Sequence, residues 1–406
     1  MSVASAALPG SSPAFREVWL VSIGHALTHW YPATFFLLLP LIGQELGLTY
    51  SQIGLVMTCQ YLAGAVSNIP GGMLVDSVGR KGFLLALSLF WIGFPYLLMG
   101  FSHQYWMLLA CSALIGIGNN LWHPAAIPTL ASRFPASKGL VLSVHGMGGN
   151  VGDAVAPFAV GALLSALTWR EIVILNLAPG VLISCLILVV LGTWRLSAAP
   201  AQAQKPADYL AGLLQLLRNR SVVVLMASSM FRAMTQSALL VFLPLFLTRE
   251  LGYSWFAVGT CLFVLQAAGF VGAPIAGHLS DRMGRHRIVM TSMWMTAAVL
   301  VLMALAGTST VFVFFIALLG FFLYALRAVL QAWVLEAAPG NLGGTTIGMV
   351  FGAQSLGAGV APAVAGLLSD RYGLTAMFWF VTATIVIANL LILLMPPEGR
   401  NPPAEN

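Results

Sequence analysis

Residues 72–81 read GMLVDSVGRK, and residues 277–286 read GHLSDRMGRH. The second stretch begins 205 residues after the first and repeats its glycine, aspartate, glycine and arginine in register. The same offset relates Glu45, Leu46, Gly47 and Gly54 to Glu250, Leu251, Gly252 and Gly259, and Gly152, Ala156, Pro157 and Gly161 to Gly357, Ala361, Pro362 and Gly366. Self-similarity at one fixed offset indicates a repeated architecture. The sequence therefore predicts two equivalent halves.

The composition indicates a membrane protein. Of the 406 residues, 59% are hydrophobic and only 7% are charged, whereas soluble domains carry about 25% charged residues. A helix needs roughly 20 apolar residues to cross a bilayer, so this length allows about a dozen crossings. Apolar runs such as 84–100 and 376–395 are continuous and lack the alternation of a transmembrane strand. We therefore predict an all-α polytopic membrane protein.

Apolar runs separated by short polar segments predict twelve transmembrane helices in two sets of six. The predicted spans are 18–43, 51–75, 83–102, 105–132, 139–166, 171–194, 221–247, 255–280, 287–306, 310–337, 343–369 and 375–395. They group into an N-terminal bundle over 18–194 and a C-terminal bundle over 221–395. The segments 1–17, 195–220 and 396–406 are predicted to be a cytoplasmic N-terminal segment, linker and tail.

The distribution of basic residues predicts the orientation. With both termini on one side, that side carries thirteen of the eighteen lysines and arginines, and an excess of positive charge marks cytoplasmic loops. Both termini are therefore predicted to be cytoplasmic. This asymmetry explains the net charge of +6 without a nucleic-acid partner.

The two glycine-rich loops resemble both copies of the signature loop of the major facilitator superfamily. The resemblance covers the whole chain and implies two pseudo-symmetric six-helix bundles. The resemblance implies that the aspartate of each loop interacts with arginines and with helix ends. These interactions are expected to break when the two halves rotate relative to each other. The resemblance assigns this gating role to Gly72, Asp76, Gly79, Arg80, Gly277, Asp281, Gly284 and Arg285. The first copy departs from the family pattern at Ser77, where arginine is usual.

Three further stretches resemble the fosmidomycin-resistance branch of that superfamily. They are His25 with Pro40, Gly116-x-Gly118 with His123-Pro124, and Gly148-Gly149-Asn150-x-Gly152 with Pro157. This resemblance implies a proton-driven efflux antiporter of the bacterial inner membrane, of the kind that confers antibiotic resistance. The chain departs from the branch at Thr28 and His29, where Asn-Asp is usual.

Two arginines at bilayer depth are candidates for substrate binding. A charge at this depth costs at least about 2.5–3.5 kcal/mol, so such residues face an interior cavity. Arg232 and Arg327 lie ten or eleven residues from the predicted cytoplasmic ends of their helices. Because a guanidinium binds carboxylate, phosphate or phosphonate through two hydrogen bonds, the pair is predicted to hold an anionic group. The alternative is a structural contact with helix carbonyls, Asp153 or Glu336.

Histidines and other polar residues are expected to line the same cavity. Imidazole titrates near pH 6.5 in water, so a histidine could carry the coupling proton in place of the missing aspartate. The remaining substrate-binding candidates are His25, His29, His123, His145, Gln236 and Gln331. The proton-coupling candidates are Asp153, His29 and Glu336. For any single histidine, a hydrogen bond across a helix interface is the alternative.

Glycine and proline in spans five and eleven predict segments that pack closely and flex as the halves move. A purely structural role is the alternative, since both residues are common in membrane helices. The candidate hinge residues are Gly148, Gly149, Gly152, Pro157, Gly357 and Pro362.

A metal or metallophore carrier is a second functional hypothesis. His25 and His29 are four residues apart on one helix, and Met230 and Met234 repeat this spacing, which is a possible start of a metal site. Methionine also fills gaps in apolar cores. No metal ligand or cofactor is therefore assigned from the sequence.

The favoured prediction is a secondary transporter that exports a small anionic or amphipathic organic molecule in exchange for protons. The sequence contains no nucleotide-binding loop, which excludes an ATP-driven pump, and no enzymatic activity is expected. The expected partners are the lipid bilayer, the substrate and the proton, and the chain is expected to be a monomer. A non-transporting sensor or lipid-handling protein is a further alternative.

Overall fold

A computed structural model describes residues 13–192, 206–307, 309, 311–339 and 342–395. Within these ranges the chain is helical and contains no β-strand. Most of the predicted N-terminal segment, part of the linker and the whole predicted tail lie outside the described residues, as 1–12, 193–205 and 396–406.

Seven helices form the N-terminal half and correspond to the first six predicted spans. The sixth span consists of two helices separated by Asn176, which accepts a hydrogen bond from the Trp30 indole through Oδ1 and one from the Tyr31 hydroxyl through its carbonyl. The helices are α1 Pro13–Glu45, α2 Tyr50–Ser77, α3 Lys81–Gly100, α4 Tyr105–Arg133, α5 Lys138–Leu163, α6 Trp169–Leu175 and α7 Leu177–Leu191.

The linker contains a helix that the sequence analysis did not predict, and six helices follow it. This helix, α8, spans Pro206–Arg218 and packs beside α9 and α13. The C-terminal half comprises α9 Arg220–Arg249, α10 Trp255–Met283, α11 Arg285–Ala306, α12 Val311–Ala337, α13 Gly343–Tyr372 and α14 Thr375–Ile392.

The repeated Glu-Leu-Gly sequence ends the first helix of each half. Gly47 and Gly252 adopt positive φ values of 61° and 66°, a conformation that glycine reaches without steric cost. The next helices then begin at N-caps with equivalent chemistry, because the hydroxyl of Thr49 accepts from the backbone of α2 and that of Ser254 accepts from the backbone of α10.

The two halves repeat the same helix packing. In the N-terminal half α1 packs on α5 and α2 on α4, and in the C-terminal half α9 packs on α13 and α10 on α12. Nine helical segments of the described chain are long and apolar enough to cross a bilayer. The other three long helices, α2, α4 and α5, have 28, 29 and 26 residues, which exceeds the roughly 20 needed.

Glycines bring the halves together at the end of the molecule opposite α8, which we call the outer side. A Cβ on Gly54 would lie 2.1 Å from the Pro362 carbonyl oxygen, and one on Gly259 would lie 2.2 Å from that of Pro157. The two contacts are related by the 205-residue offset. They join α2 to α13 and α5 to α10, the two main interfaces between the halves.

The opposite end, which we call the linker side, is open. For Gly146, Gly277, Gly348 and Gly352, no heavy atom of the described chain comes within 4 Å of a Cβ position beyond the helix itself. These glycines lie on α5, α10 and α13, the same helices that are in tight contact on the outer side. On the linker side these helices therefore leave open space beside the glycines, whereas on the outer side they are in contact.

Candidate substrate-binding cavity

Four histidines meet in the N-terminal half, within α1, α4 and α5. The Nε2 atoms of His25 and His123 are 3.1 Å apart, and Nδ1 of His25 donates to the His145 carbonyl oxygen at 2.6 Å. The rings of His25 and His145 stack with centroids 4.0 Å apart, and His29 meets His25 edge-on at 4.8 Å. His25 and His145 are buried, whereas His29 and His123 are partly exposed. All four predicted histidines thus belong to one cluster.

Gly149 makes room for this cluster on α5. A Cβ at this position would lie 2.8 Å from Cε1 of His25 and 3.0 Å from Nε2 of His29. Any side chain here would therefore displace two imidazoles. Gly149 is predicted from the sequence to be a hinge residue, and its contact with the imidazoles is not evident from the sequence.

Asp153 lies one helical turn further along α5 and pairs with His29. Its Oδ2 atom is 2.9 Å from Nδ1 of His29, and both side chains are about a quarter exposed, at 28% and 23%. Because a carboxylate accepts hydrogen bonds, Nδ1 of His29 is the donor. The pair places one negative charge on the N-terminal wall of the cavity.

Arg232 on α9 is buried with most of its hydrogen-bonding capacity unused. It is only 3% exposed, and its Nη1 donates to Oε1 of Gln236 at 3.0 Å. Its buried Nε has no hydrogen-bond partner in the described chain. A buried charge without a counter-ion is costly, which makes Arg232 a candidate for binding an anion.

Arg327 on α12 reaches the same space from a second helix of the C-terminal half. It is exposed and lies within electrostatic range of both Arg232 and His123. The described residues give it no ion pair or hydrogen bond. Because His123 belongs to the opposite half, this interaction acts between the two halves. We call the region between the two arginines and the histidines the chamber.

Two tyrosines also lie beside this chamber, and neither was predicted from the sequence. Tyr324 on α12 lies within electrostatic range of Asp153, Arg232 and Tyr61, and Tyr61 lies within range of Asp153. Tyr324 is one helical turn from Arg327, and this spacing is the sequence signal that could have identified it. The chamber thus offers two cations, one carboxylate, imidazoles and aromatic rings.

The family of the chain follows from a comparison with known proteins. A family model described as Major Facilitator Superfamily matches residues 18–277 and 225–406. The chain belongs to the Major Facilitator Superfamily. It is therefore a multi-pass membrane transporter with twelve transmembrane helices and not an enzyme, and the predicted fold is confirmed.

Curated relatives align with this superfamily member over most of its length. The fosmidomycin resistance protein of Escherichia coli is 22% identical over 98% of this chain and 97% of its own. The multidrug resistance protein MdtG of Yersinia enterocolitica is 27% identical over 93% of this chain and 92% of its own. The "Probable sulfoacetate transporter SauU" of Cupriavidus necator is 26% identical over 82% of each chain.

A solved structure shares the fold of this superfamily member. A bacterial homolog of the human lysosomal transporter Spinster, in an inward-facing and unoccupied conformation, superposes with a TM-score of 0.79. The two chains are 15% identical, and the match covers 95% of each. This likeness concerns the fold.

The second signature loop forms an ion-pair network on the linker side. Arg285 lies 2.6 Å from Asp281 and 3.0 Å from Glu336. Glu336, a candidate for the coupling proton, therefore lies with the signature loop, away from Asp153. Gln331, one turn before it on α12, is partly exposed.

The first signature loop is less fully described. The side chains at Gly72 and Asp76 lie outside the described residues, whereas Gly79 and Arg80 are exposed. The amine of the adjacent Lys81 donates to the Val75 carbonyl oxygen. The predicted gating roles of both loops remain predictions.

The predicted hinge glycines are sites of close helix packing. A Cβ on Gly148 would lie 2.3 Å from the Ser22 carbonyl oxygen, and one on Gly152 would lie 2.1 Å from that of Ala26. These contacts pack α5 on α1, and Gly357 packs α13 on α9 in the same way. Pro157 and Pro362 contribute the carbonyls of the outer contacts described above.

The methionines of the metal hypothesis lie apart from the histidines. Met230 and Met234 on α9 both approach Gly357 of α13, with Cγ atoms 2.8 Å and 3.0 Å from its Cβ position. They serve the packing of the C-terminal half. The histidines meet in the N-terminal half instead.

Proposed function

We propose that the protein exports a small organic anion by alternating access, driven by the proton gradient across a bacterial inner membrane. In this proposal the linker side is cytoplasmic, because positive charges concentrate there. The anion enters the chamber from that side and leaves when the outer contacts open. A single chain contains both walls of the chamber, which supports function as a monomer.

The observation that carries the anion assignment is a pair of arginines for which the described residues provide no carboxylate partner. Arg232 uses one hydrogen bond within the protein, to Gln236, and Arg327 uses none among the described residues. Guanidinium groups bind carboxylate, sulfonate or phosphonate oxygens through parallel N–H donors. An anion between the two side chains would relieve their mutual repulsion.

The relatives support both the direction and the chemical class. One is named a fosmidomycin resistance protein and another a multidrug resistance protein, names that fit removal of a compound from the cell. A third is named a probable sulfoacetate transporter, and sulfoacetate is a small organic anion. We extend these properties to this chain as part of the proposal.

Proton coupling is supported by titratable groups in the chamber. Asp153 and His29 lie together on the cavity wall and are each about a quarter exposed. Glu336 is held by Arg285 at the linker side, so we assign it to gating. Transport itself is the property that follows from the family, and the proton is the driving ion that we propose.

Reconstitution into proteoliposomes tests this function. With radiolabelled sulfoacetate outside, an acidic lumen is expected to drive accumulation in exchange for protons, and nigericin is expected to abolish it. Arg232→Gln and Arg327→Gln should each reduce the initial rate at least tenfold. Arg371→Gln is the matched control, because Arg371 is exposed at the outer end of α13 and lies over Tyr372.

Two results would contradict separate parts of the proposal. Accumulation that is insensitive to nigericin would refute proton coupling and leave the anion site intact. Equal rates for the wild type, both cavity variants and the control would refute the arginine site.

A further inference from the structure

Three imidazoles lie close enough together to act as ligands of a single metal ion. His25, His29 and His123 each offer one ring nitrogen, and these atoms lie within 4.8 Å of one another. The Nε2 atoms of His25 and His123 are 3.1 Å apart. Two nitrogens bound to a tetrahedral ion at about 2.05 Å are separated by about 3.3 Å. This pair is therefore already close to ligand spacing.

The hydrogen bonds of His25 and His29 leave the Nε2 atom of each ring free to bind a metal ion. Nδ1 of His25 donates to the His145 carbonyl oxygen at 2.6 Å, and Nδ1 of His29 donates to Asp153 at 2.9 Å. In each neutral ring the lone pair is consequently on Nε2. Metal-binding histidines almost always donate their second N–H to a carbonyl or a carboxylate, and the protein supplies one acceptor of each kind.

His123 supplies the third nitrogen after a change of tautomer. Without a metal, Nε2 of His123 carries a hydrogen and donates it to the lone pair on Nε2 of His25. His123 must be the donor, because Nε2 of His25 carries no hydrogen. When an ion takes the place of this hydrogen, the proton moves to Nδ1 of His123 and both Nε2 lone pairs face the ion. The ring remains neutral, and no proton is gained or lost.

The surroundings let a fourth ligand reach the site. Gly149 allows the imidazoles of His25 and His29 to pack directly on α5, since a Cβ there would lie 2.8 Å from Cε1 of His25. His29 and His123 are partly exposed, so a water molecule or an anion can complete a tetrahedron. The nearby carboxylate of Asp153 offsets part of the ion's charge.

We propose that His25, His29 and His123 bind one first-row transition-metal ion tetrahedrally, with Asp153 as the residue that orients His29. Neutral imidazole suits Zn²⁺, Co²⁺, Ni²⁺ and Cu²⁺. This site differs from the one considered from the sequence, since His123 on α4 replaces the methionines of α9. It does not depend on which solute the transporter moves, but it shares His29 and Asp153 with the proposed proton coupling, so a bound ion and a proton on Nε2 of His29 exclude each other.

Cobalt is the probe of choice, because tetrahedral Co²⁺ absorbs visible light far more strongly than octahedral Co²⁺. The full-length protein, purified in detergent through a tag that contains no histidine, is titrated with CoCl₂. We expect saturation at one Co²⁺ per chain with an intense tetrahedral band, which excess Zn²⁺ removes. A weak octahedral spectrum, or no saturable binding, would overturn the proposal.

Variants identify the ligands. His123→Ala and His25→Ala should abolish the tetrahedral band, and Asp153→Asn should weaken Co²⁺ binding about 10-fold to 100-fold without abolishing it. His278→Ala is the control, because His278 is exposed on α10 outside the cluster. His25 bonds to α5, so gel filtration must show that its variant is folded, and His123→Ala provides the second test. A band that persists in His123→Ala would overturn the assignment.

Discussion

At the residue scale, the sequence indicates which residues lie at bilayer depth, but it could not predict their partners. Counting residues from the helix ends places Arg232 and Arg327 at similar depth, and this remains a prediction. The pairing of His29 with Asp153 depends on how α1 and α5 are rotated about their axes. A helix turns about 100° per residue, so a small difference in rotation selects a different partner.

The substitution Arg232→Lys tests whether anion binding requires the planar guanidinium group or only its positive charge. Arg232→Lys keeps the positive charge but loses the planar fork that holds an anion through two hydrogen bonds. A hydrogen bond to a charged group contributes about 1.5–3 kcal/mol, so the KM for sulfoacetate should rise about 10-fold to 100-fold. Initial uptake rates into proteoliposomes measure it, with Arg371→Lys as the control. A lysine variant with the wild-type KM would show that charge alone suffices.

At the element scale, the sequence predicted the membrane helices well because each is a long apolar run. Both ends of each of the twelve membrane spans, with α6 and α7 counted as one, lie within five residues of the predicted span, the largest difference being Pro13 at the start of α1. Helix α8 is not evident from the sequence, because it lies in a polar linker and its apolar residues follow one helix face and do not form a continuous apolar run. The break at Asn176 is not evident either, because α6 ends and α7 begins there within one continuous apolar run.

Two glycines of α5 differ in their surroundings, which predicts opposite responses to the same substitution. A Cβ on Gly152 would lie 2.1 Å from the Ala26 carbonyl oxygen of α1, so Gly152→Ala forces the helices apart at a cost of about 1–3 kcal/mol. Gly146 has open space around it, and Gly146→Ala should be neutral or stabilising by up to about 1 kcal/mol. Thermal unfolding in detergent should show a lower Tm only for Gly152→Ala. Equal Tm values would contradict the packing role.

At the scale of the whole molecule, the two halves are symmetric but their closure is not. Glycine contacts on the outer side occur in equivalent pairs. However, among the described residues only the interface of α2 with α13 has a charged anchor, in which Asp370 accepts hydrogen bonds from the backbone nitrogens of Tyr50 and Ser51 at 2.7 Å and 2.9 Å. At the equivalent position of the other interface, Ser165 bonds within its own segment, to Ala162. The Asp370 anchor must therefore break when the outer side opens.

Weakening this anchor should shift the transporter toward the state that is open on the outer side. Asp370→Asn replaces a charged acceptor at the N-terminus of α2 by a neutral one, so it weakens bonds that contribute about 1.5–3 kcal/mol each. In a cysteine-free background, Ala361→Cys is buried at the outer contact beside Pro362 and Gly348→Cys lies on the open linker side. With Asp370→Asn, a polar maleimide should react about tenfold faster at the first cysteine and more slowly at the second. Glu171→Gln is the control, because Glu171 caps α6 within one half. Unchanged rates at both cysteines would mean that the glycine contacts alone keep the outer side closed.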